Sequence, residues 1–303
     1  MVSPHTRGLF AGLAAFISWG LVPLYWRQLR EVPAFEILAH RAIWLLIFVG
    51  ILLSFHRQWS GILQTRRGYA ITTLRGILIS INWVIFIWAV NAGHIVETSM
   101  GYFITPLLNL VVGMLVFREK LRRPQWLAVF LAAIGVVVAT TEAHHGFPWI
   151  AVGLALSFST YGALKKVAQI APMPGLFLET AVMTPLAIAY LWLLPARVPL
   201  TPLFSHNPLF LIGGGIITAF PLLWFGYAAR ELKLTTISFL QFIAPSISFL
   251  IGVLVYRENF SSVRLLAFSF IWAGVIVFSL EAWIRSREAE VPDAGRASPL
   301  AME

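Results

Sequence analysis

The chain has no cysteine. That excludes a disulfide framework and any thiolate-held metal or iron–sulfur centre. Charge is also scarce. Asp, Glu, Lys and Arg supply 12% of the 303 residues, about half of the ~25% usual in soluble domains. No Walker A loop and no HExxH occurs, and no Ser-His-Asp set is placed by spacing. The parts of an ATP-driven pump and of a membrane hydrolase are therefore missing, and neither cofactor nor metal is implied. His144-His145 is a lone pair in a loop and reads as solvent-facing. What the chain has in excess is apolar residues, at 59%, with a mean hydropathy of +0.82. Soluble domains run at ~45–50%, so the composition is that of an integral membrane protein.

A bilayer-spanning helix needs about 20 mostly apolar residues. Ten segments meet this, at roughly 8–28, 36–55, 70–92, 96–117, 124–141, 149–164, 175–194, 209–229, 235–256 and 263–283. The start, MVSPHTRG, runs straight into the first of them and reads as its beginning, not as a removed signal peptide. With the N-terminus inside, the inner segments hold 15 Lys and Arg and the outer ones five. This bias predicts both termini in the cytoplasm. The net charge of +9 is then mostly topology, and no nucleic-acid partner is needed to explain it. The polar residues from Ile284 onward read as a disordered cytoplasmic tail.

The stretch Glu97–Arg123, ETSMGYFITPLLNLVVGMLVFREKLRR, is echoed by SFLQFIAPSISFLIGVLVYRENF at Ser238–Phe260. Pairing Pro106 with Pro245 fixes an offset of 139 residues. In that register Ser99, Phe103, Gly113, Arg118, Glu119 and Gly135 meet Ser238, Phe242, Gly252, Arg257, Glu258 and Gly274. The chain thus reads as two five-helix repeats, 1–143 and 144–283, followed by the tail 284–303. Five spans is an odd number, so the second repeat enters the membrane inverted. Inverted halves give the pseudo-two-fold that many secondary transporters use for alternating access. The expected fold is all-α integral membrane, ten transmembrane helices in two inverted repeats.

Proline inside a helix frees the carbonyl four residues earlier. Pro106 and Pro245 free those of Tyr102 and Gln241, and this symmetric pair is the expected hinge. Ionisable residues in a span cost roughly 2.5–3.5 kcal/mol at its centre, so each needs a reason. His40 and Arg41 lie near the outer end of span 2, and Glu97 near that of span 4. These are gating or coupling candidates, with an Arg41–Glu97 ion pair set against snorkelling of each to the headgroups. Glu179, about a turn inside span 7, is the candidate for a protonatable group, a structural role being the alternative. Arg75 reads as a snorkelling anchor. Trp19, Asn82, Trp88, Tyr102, Tyr161, Trp224 and Gln241 are the candidate substrate-binding residues, because interior rings and amides suit a flat amphipathic solute. Ordinary aromatic packing is the competing account of each ring.

Certain blocks go further. EILAHRAIW at 36–44, the run 82–114 from Asn82 to Met114, REKLRRPQWLAV at 118–129, and the later LETAVMTPLA and FLQFIAP resemble the RarD branch of the EamA-domain proteins, in the drug/metabolite transporter superfamily. The resemblance covers all ten predicted spans. It implies a bacterial inner-membrane permease, not an enzyme, with a small-molecule substrate and a link to chloramphenicol sensitivity. Thr105 departs from the pattern, which expects asparagine there. The sequence thus predicts a secondary transporter of a small organic metabolite or drug. A non-transporting membrane scaffold or partner protein is the alternative. Oligomeric state is open, with a monomer among the options.

Overall fold

The computed structural model describes residues 3–29, 31–92, 95–141, 148–193, 208–255, 257 and 261–290. Among these there is no strand. The helices are α1 (Pro4–Trp26), α2 (Ala34–Phe55), α3 (Arg66–Asn91), α4 (Ile95–Leu115), α5 (Arg123–Thr140), α6 (Trp149–Ala168), α7 (Pro172–Leu193), α8 (Pro208–Glu231), α9 (Leu234–Gln241), α10 (Ile243–Leu250) and α11 (Ser262–Glu290). The predicted segments coincide with these helices except at two places. Predicted span 9 is broken into α9 and α10 at Phe242, and α10 runs on into a π-helical turn, Ile251–Val255. The last helix reaches Glu290, past the predicted end at 283. His144 and His145 lie outside the described residues.

Among the described residues, eight stretches are long and apolar enough to cross a bilayer: Pro4–Leu29, Ala34–Phe55, Arg66–Ala89, Arg123–Thr140, Pro172–Leu193, Leu209–Glu231, Leu234–Val255 and Ser262–Ile284. The protein is therefore an all-α, multi-pass membrane protein. α4 adds a shorter apolar stretch, Gly101–Leu115. α6 is 20 residues long but is diluted by Ser157, Ser159, Thr160 and the Lys165-Lys166 pair.

Local chemistry explains how such polar residues sit in apolar helices. The hydroxyls of Thr72, Ser80, Thr105, Thr180, Thr184, Thr218 and Ser238 each donate to the carbonyl four residues back. A hydroxyl satisfied by its own helix needs no water, which is what lipid demands. Large apolar side chains such as Phe10, Phe55, Leu115 and Trp192 remain exposed on the outside, where acyl chains cover them.

The most extensive helix contacts come in pairs. α4 packs on α6, and α1 on α10; α1 packs on α8, and α3 on α6; α2 packs on α8, and α3 on α7. Each pair exchanges when α1, α2, α3, α4 and α5 are swapped with α6, α7, α8, α9–α10 and α11. The contacts α2–α7, α4–α9 and α5–α11 map onto themselves. Atomic details repeat too. A Cβ on Gly135 would lie 2.7 Å from the Ala267 carbonyl oxygen, and one on Gly274 would lie 2.7 Å from that of Ala128. These two contacts are related by the offset of 139. At Gly20, 3.1 Å would separate a Cβ from the Ala244 oxygen. The equivalent Ser159 hydroxyl donates to Thr105 O at 3.4 Å. Arg118 and Arg257, equivalent turn residues, both adopt φ 53°.

Candidate functional site

Four side chains from three helices converge where none is accessible. Arg75 on α3 and Glu179 on α7 form an ion pair, each 1% exposed. Lys165 on α6 reaches the same carboxylate oxygen, Oε1, at 3.1 Å. The Tyr161 hydroxyl donates to the other, Oε2, at 2.8 Å. Tyr161 and Lys165 are one helical turn apart, so they share a face of α6. Two glycines admit the cluster. Gly175 leaves only 2.9 Å between an added Cβ and Arg75 Nη2, and Gly226 leaves 3.5 Å to Lys165 Nζ. Arg75 keeps Nε and Nη1 without a hydrogen-bond acceptor. It is thus not a snorkelling anchor, as α6 and α7 bury it before it could reach a headgroup.

An aromatic cluster adjoins this charge. Trp19 packs on Phe16, Phe158 and Phe225 at centroid distances of 5.4, 6.0 and 5.7 Å. Tyr161 stacks 6.3 Å from Phe225. Trp19 and Tyr161 thus belong to one aromatic cluster, joined through Phe158 and Phe225. Phe158 and Phe225, which join them, were not singled out because apolar rings in apolar helices carry no distinguishing signal.

The other candidates divide. Asn82 bridges α3 to α6, donating to Leu154 O and Ser157 Oγ, each at 2.9 Å. Gln241 accepts from Asn109 at 2.8 Å, joining α9 to α4 inside the bundle. Arg41 lies over the Trp83 ring at 3.8 Å and near that of Trp26 at 5.8 Å. Its Nε has no acceptor. Tyr102 keeps half of its surface open, interacts electrostatically with Arg41, and meets Phe86 at 5.9 Å. His40 is buried beside Arg41 on α2. Trp88 sits at the end of α3 against Trp149, 5.4 Å away. Trp224 turns away from Tyr161 and lines a surface recess with Arg7, Phe10, Ala11, Ala14 and Tyr227. The side chain of Glu97 lies outside the described residues, and with it the test of an Arg41–Glu97 pair.

The two hinge candidates differ. α4 continues through Pro106, where the Thr105 hydroxyl bonds Gly101 O at 2.6 Å. Near Pro245 the helix breaks, and Ser246 links the break to α11 by accepting from Trp272 Nε1 at 2.8 Å. The start of α9 is held in turn by Glu119, from the α4–α5 turn. Its carboxylate accepts from the backbone N–H groups of Leu234 and Thr235 at 2.8 and 2.9 Å. An anion here meets both the orphan donors and the positive end of the helix dipole. Lys166 stands 3.9 Å from Glu119 and donates to Leu232 O. The α4–α5 turn, the last turn of α6 and the α8–α9 turn are thereby tied at one end of the bundle. Among the described residues no cluster of His, Cys, Asp and Glu could hold a metal ion.

These features belong to a known class of membrane transport protein. The profile of the EamA-like transporter family matches residues 6–141, and relatives match nearly the whole chain. An uncharacterized transporter of Pseudomonas aeruginosa is 39% identical over 94% of this chain and 97% of its own. Protein RarD of Escherichia coli is 40% identical over 93% of this chain and 97% of its own. The chain belongs to the EamA-like transporter family, in its RarD branch. A more distant relative in P. aeruginosa, at 29% identity over 93% of this chain and 95% of its own, is named a chloramphenicol-sensitive RarD protein. A solved crystal structure superposes with a TM-score of 0.72 over 92% of this chain and 99% of its own, at 18% identity. That likeness concerns the fold alone. Family and relatives point to a bacterial transporter, not an enzyme.

Proposed function

We propose that this protein is a secondary transporter that moves a small organic metabolite or drug across the bacterial inner membrane by alternating access. In this reading residues 1–143 and 144–283 are inverted five-helix halves, ten spans in all, with both termini cytoplasmic. The carrying observation is the paired contact pattern, above all Gly135 on Ala267 matched by Gly274 on Ala128. Contacts that exchange under a swap of halves are those of a pseudo-two-fold relation, the symmetry on which many secondary transporters rely for alternating access.

The charged cluster supports the same reading, because it crosses the boundary. Arg75 comes from the first half, and Lys165, Tyr161 and Glu179 from the second. The solute passes between the halves, past Trp19, Asn82, Tyr161 and Gln241. Arg41 and Tyr102 stand at the outer part of the path, and Pro106 and Pro245 mark the helices that bend. Trp88 and Trp224 are assigned to the periphery. The Glu119 clasp closes the cytoplasmic end.

The test is uptake into proteoliposomes by the purified full chain, across amino acids and chloramphenicol, with and without a pH gradient. Chloramphenicol is included because of the name of the relative in P. aeruginosa. Saturable flux of any solute supports the reading. Verified folding with no flux of any of them would favour a membrane scaffold.

A further inference from the structure

The buried cluster does not balance. Arg75 and Lys165 each carry a positive charge, and among the described residues Glu179 is the one anion paired with either. One positive charge is left over, in a place where an unpaired charge is costly. The surplus can be assigned. Lys165 and Glu179 lie on adjacent helices, α6 and α7, of the second half, and they neutralise each other. Tyr161 satisfies the remaining carboxylate oxygen from the same half. Arg75 stands alone on α3, and its Nε and Nη1 lack acceptors. A buried donor left unmade costs about 1–3 kcal/mol, more when charged.

Three occupants could relieve this, and two relieve it only in part. A water molecule accepts hydrogen bonds but leaves the charge. Loss of a proton from Lys165 removes the charge but gives Arg75 no acceptor. A carboxylate does both, and a guanidinium is the donor group best shaped to hold one. We infer that Arg75 is the binding site for the carboxylate of the transported solute, which takes the place of Glu179 as its counter-ion when α3 separates from α7. This rests on the alternating-access reading, since in the closed arrangement Arg75 is 1% exposed. Separation leaves Lys165–Glu179 intact and strands Arg75, so opening without an anion is penalised. The solute class that follows is an organic acid or amino acid, with an apolar body suited to the rings beside Tyr161.

The test uses the full chain in detergent and follows its thermal unfolding with matched probes. Phenylacetate is compared with phenylacetamide, and phenylalanine with phenylalaninamide. A ligand at free concentration c that binds only the folded protein stabilises it by RT ln(1 + c/Kd), so the midpoint rises with c once that exceeds Kd. At least one acid is expected to raise the midpoint where its amide does not. Arg75→Gln should weaken that acid at least 10-fold, and Arg75→Lys, which keeps the charge but not the fork, should weaken it less. Arg75→Gln leaves the Lys165–Glu179 pair in place, so a folded variant is expected. Amides binding as well as acids, acids unaffected by Arg75→Gln, or no acid binding at all would each overturn the assignment. Saturable proteoliposome flux of a neutral solute would overturn it too while leaving the transport reading intact. Absence of all flux would count against transport, whatever the acids do to the midpoint.

Discussion

Arg75 and Glu179 are 104 residues apart in sequence and form a buried ion pair between α3 and α7. The two ends of this bond are unequal. Glu179 also holds Lys165 and Tyr161, whereas Glu179 is the acceptor that Arg75 has.

That inequality gives an order of effects. Glu179→Gln leaves two buried cations facing each other and should cost about 3–5 kcal/mol, the range for breaking a buried pair. Arg75→Gln leaves a neutral Lys165–Glu179 pair and should cost distinctly less. Thermal unfolding of the purified variants checks the order, and equal losses would contradict it.

Glu119 is expected to act on conformation more than on the core. Glu119→Ala removes two charge-assisted bonds at the start of α9 and should cost about 0.5–2 kcal/mol, as for other helix caps. The absence of native cysteine makes this easy to follow. A single cysteine at Thr235, which is buried, should react with maleimide faster when Glu119→Ala is added. An unchanged rate would mean that the clasp does not hold this end shut.

Asn109 and Gln241 meet inside the bundle at 2.8 Å. A double-mutant cycle with Asn109→Leu and Gln241→Leu should give a coupling of about 0.6 kcal/mol and no more than ~1.7 kcal/mol, the range found for hydrogen bonds between membrane helices. Additive losses would show that the bond is incidental.

Gly135→Ala and Gly274→Ala each push a methyl group to 2.7 Å from a backbone oxygen on the facing helix. Overpacking of this kind costs about 1–3 kcal/mol. Because the proposed repeat makes the two positions equivalent, the two losses should agree closely. A large loss at one position alone would break the proposed equivalence.

Much of the fold could be read from the sequence because lipid imposes simple rules. Apolar runs of fixed length located the helices, and the 139-residue register had paired Gly135 with Gly274, whose close approaches to Ala267 and Ala128 differ by the same offset. Side-chain direction was less accessible. Depth placed Arg75 and Glu179 near the same end of their spans, but depth does not say which way a side chain faces around a helix. Arg75 was therefore read as reaching for headgroups when it faces α7. Trp224 shows the same limit, since it lines a surface recess while its neighbour Phe225 takes the inward direction. Lys165 was counted only toward topology, although its spacing from Tyr161 could have placed both on one face. The break at Phe242 had no symmetric counterpart to predict it, because Pro106 and Pro245 look alike in sequence while α4 stays whole.

The contact of α5 with α11 has one more consequence. Gly135 on Ala267 and Gly274 on Ala128 would lie astride the proposed pseudo-two-fold, so trading the arrangements of the halves would return this contact to itself. On the alternating-access reading proposed above, it is the axle of the molecule, the line about which the rest turns. Distance labels placed there should stay silent during turnover, while a pair spanning α3 and α7 should report every stroke.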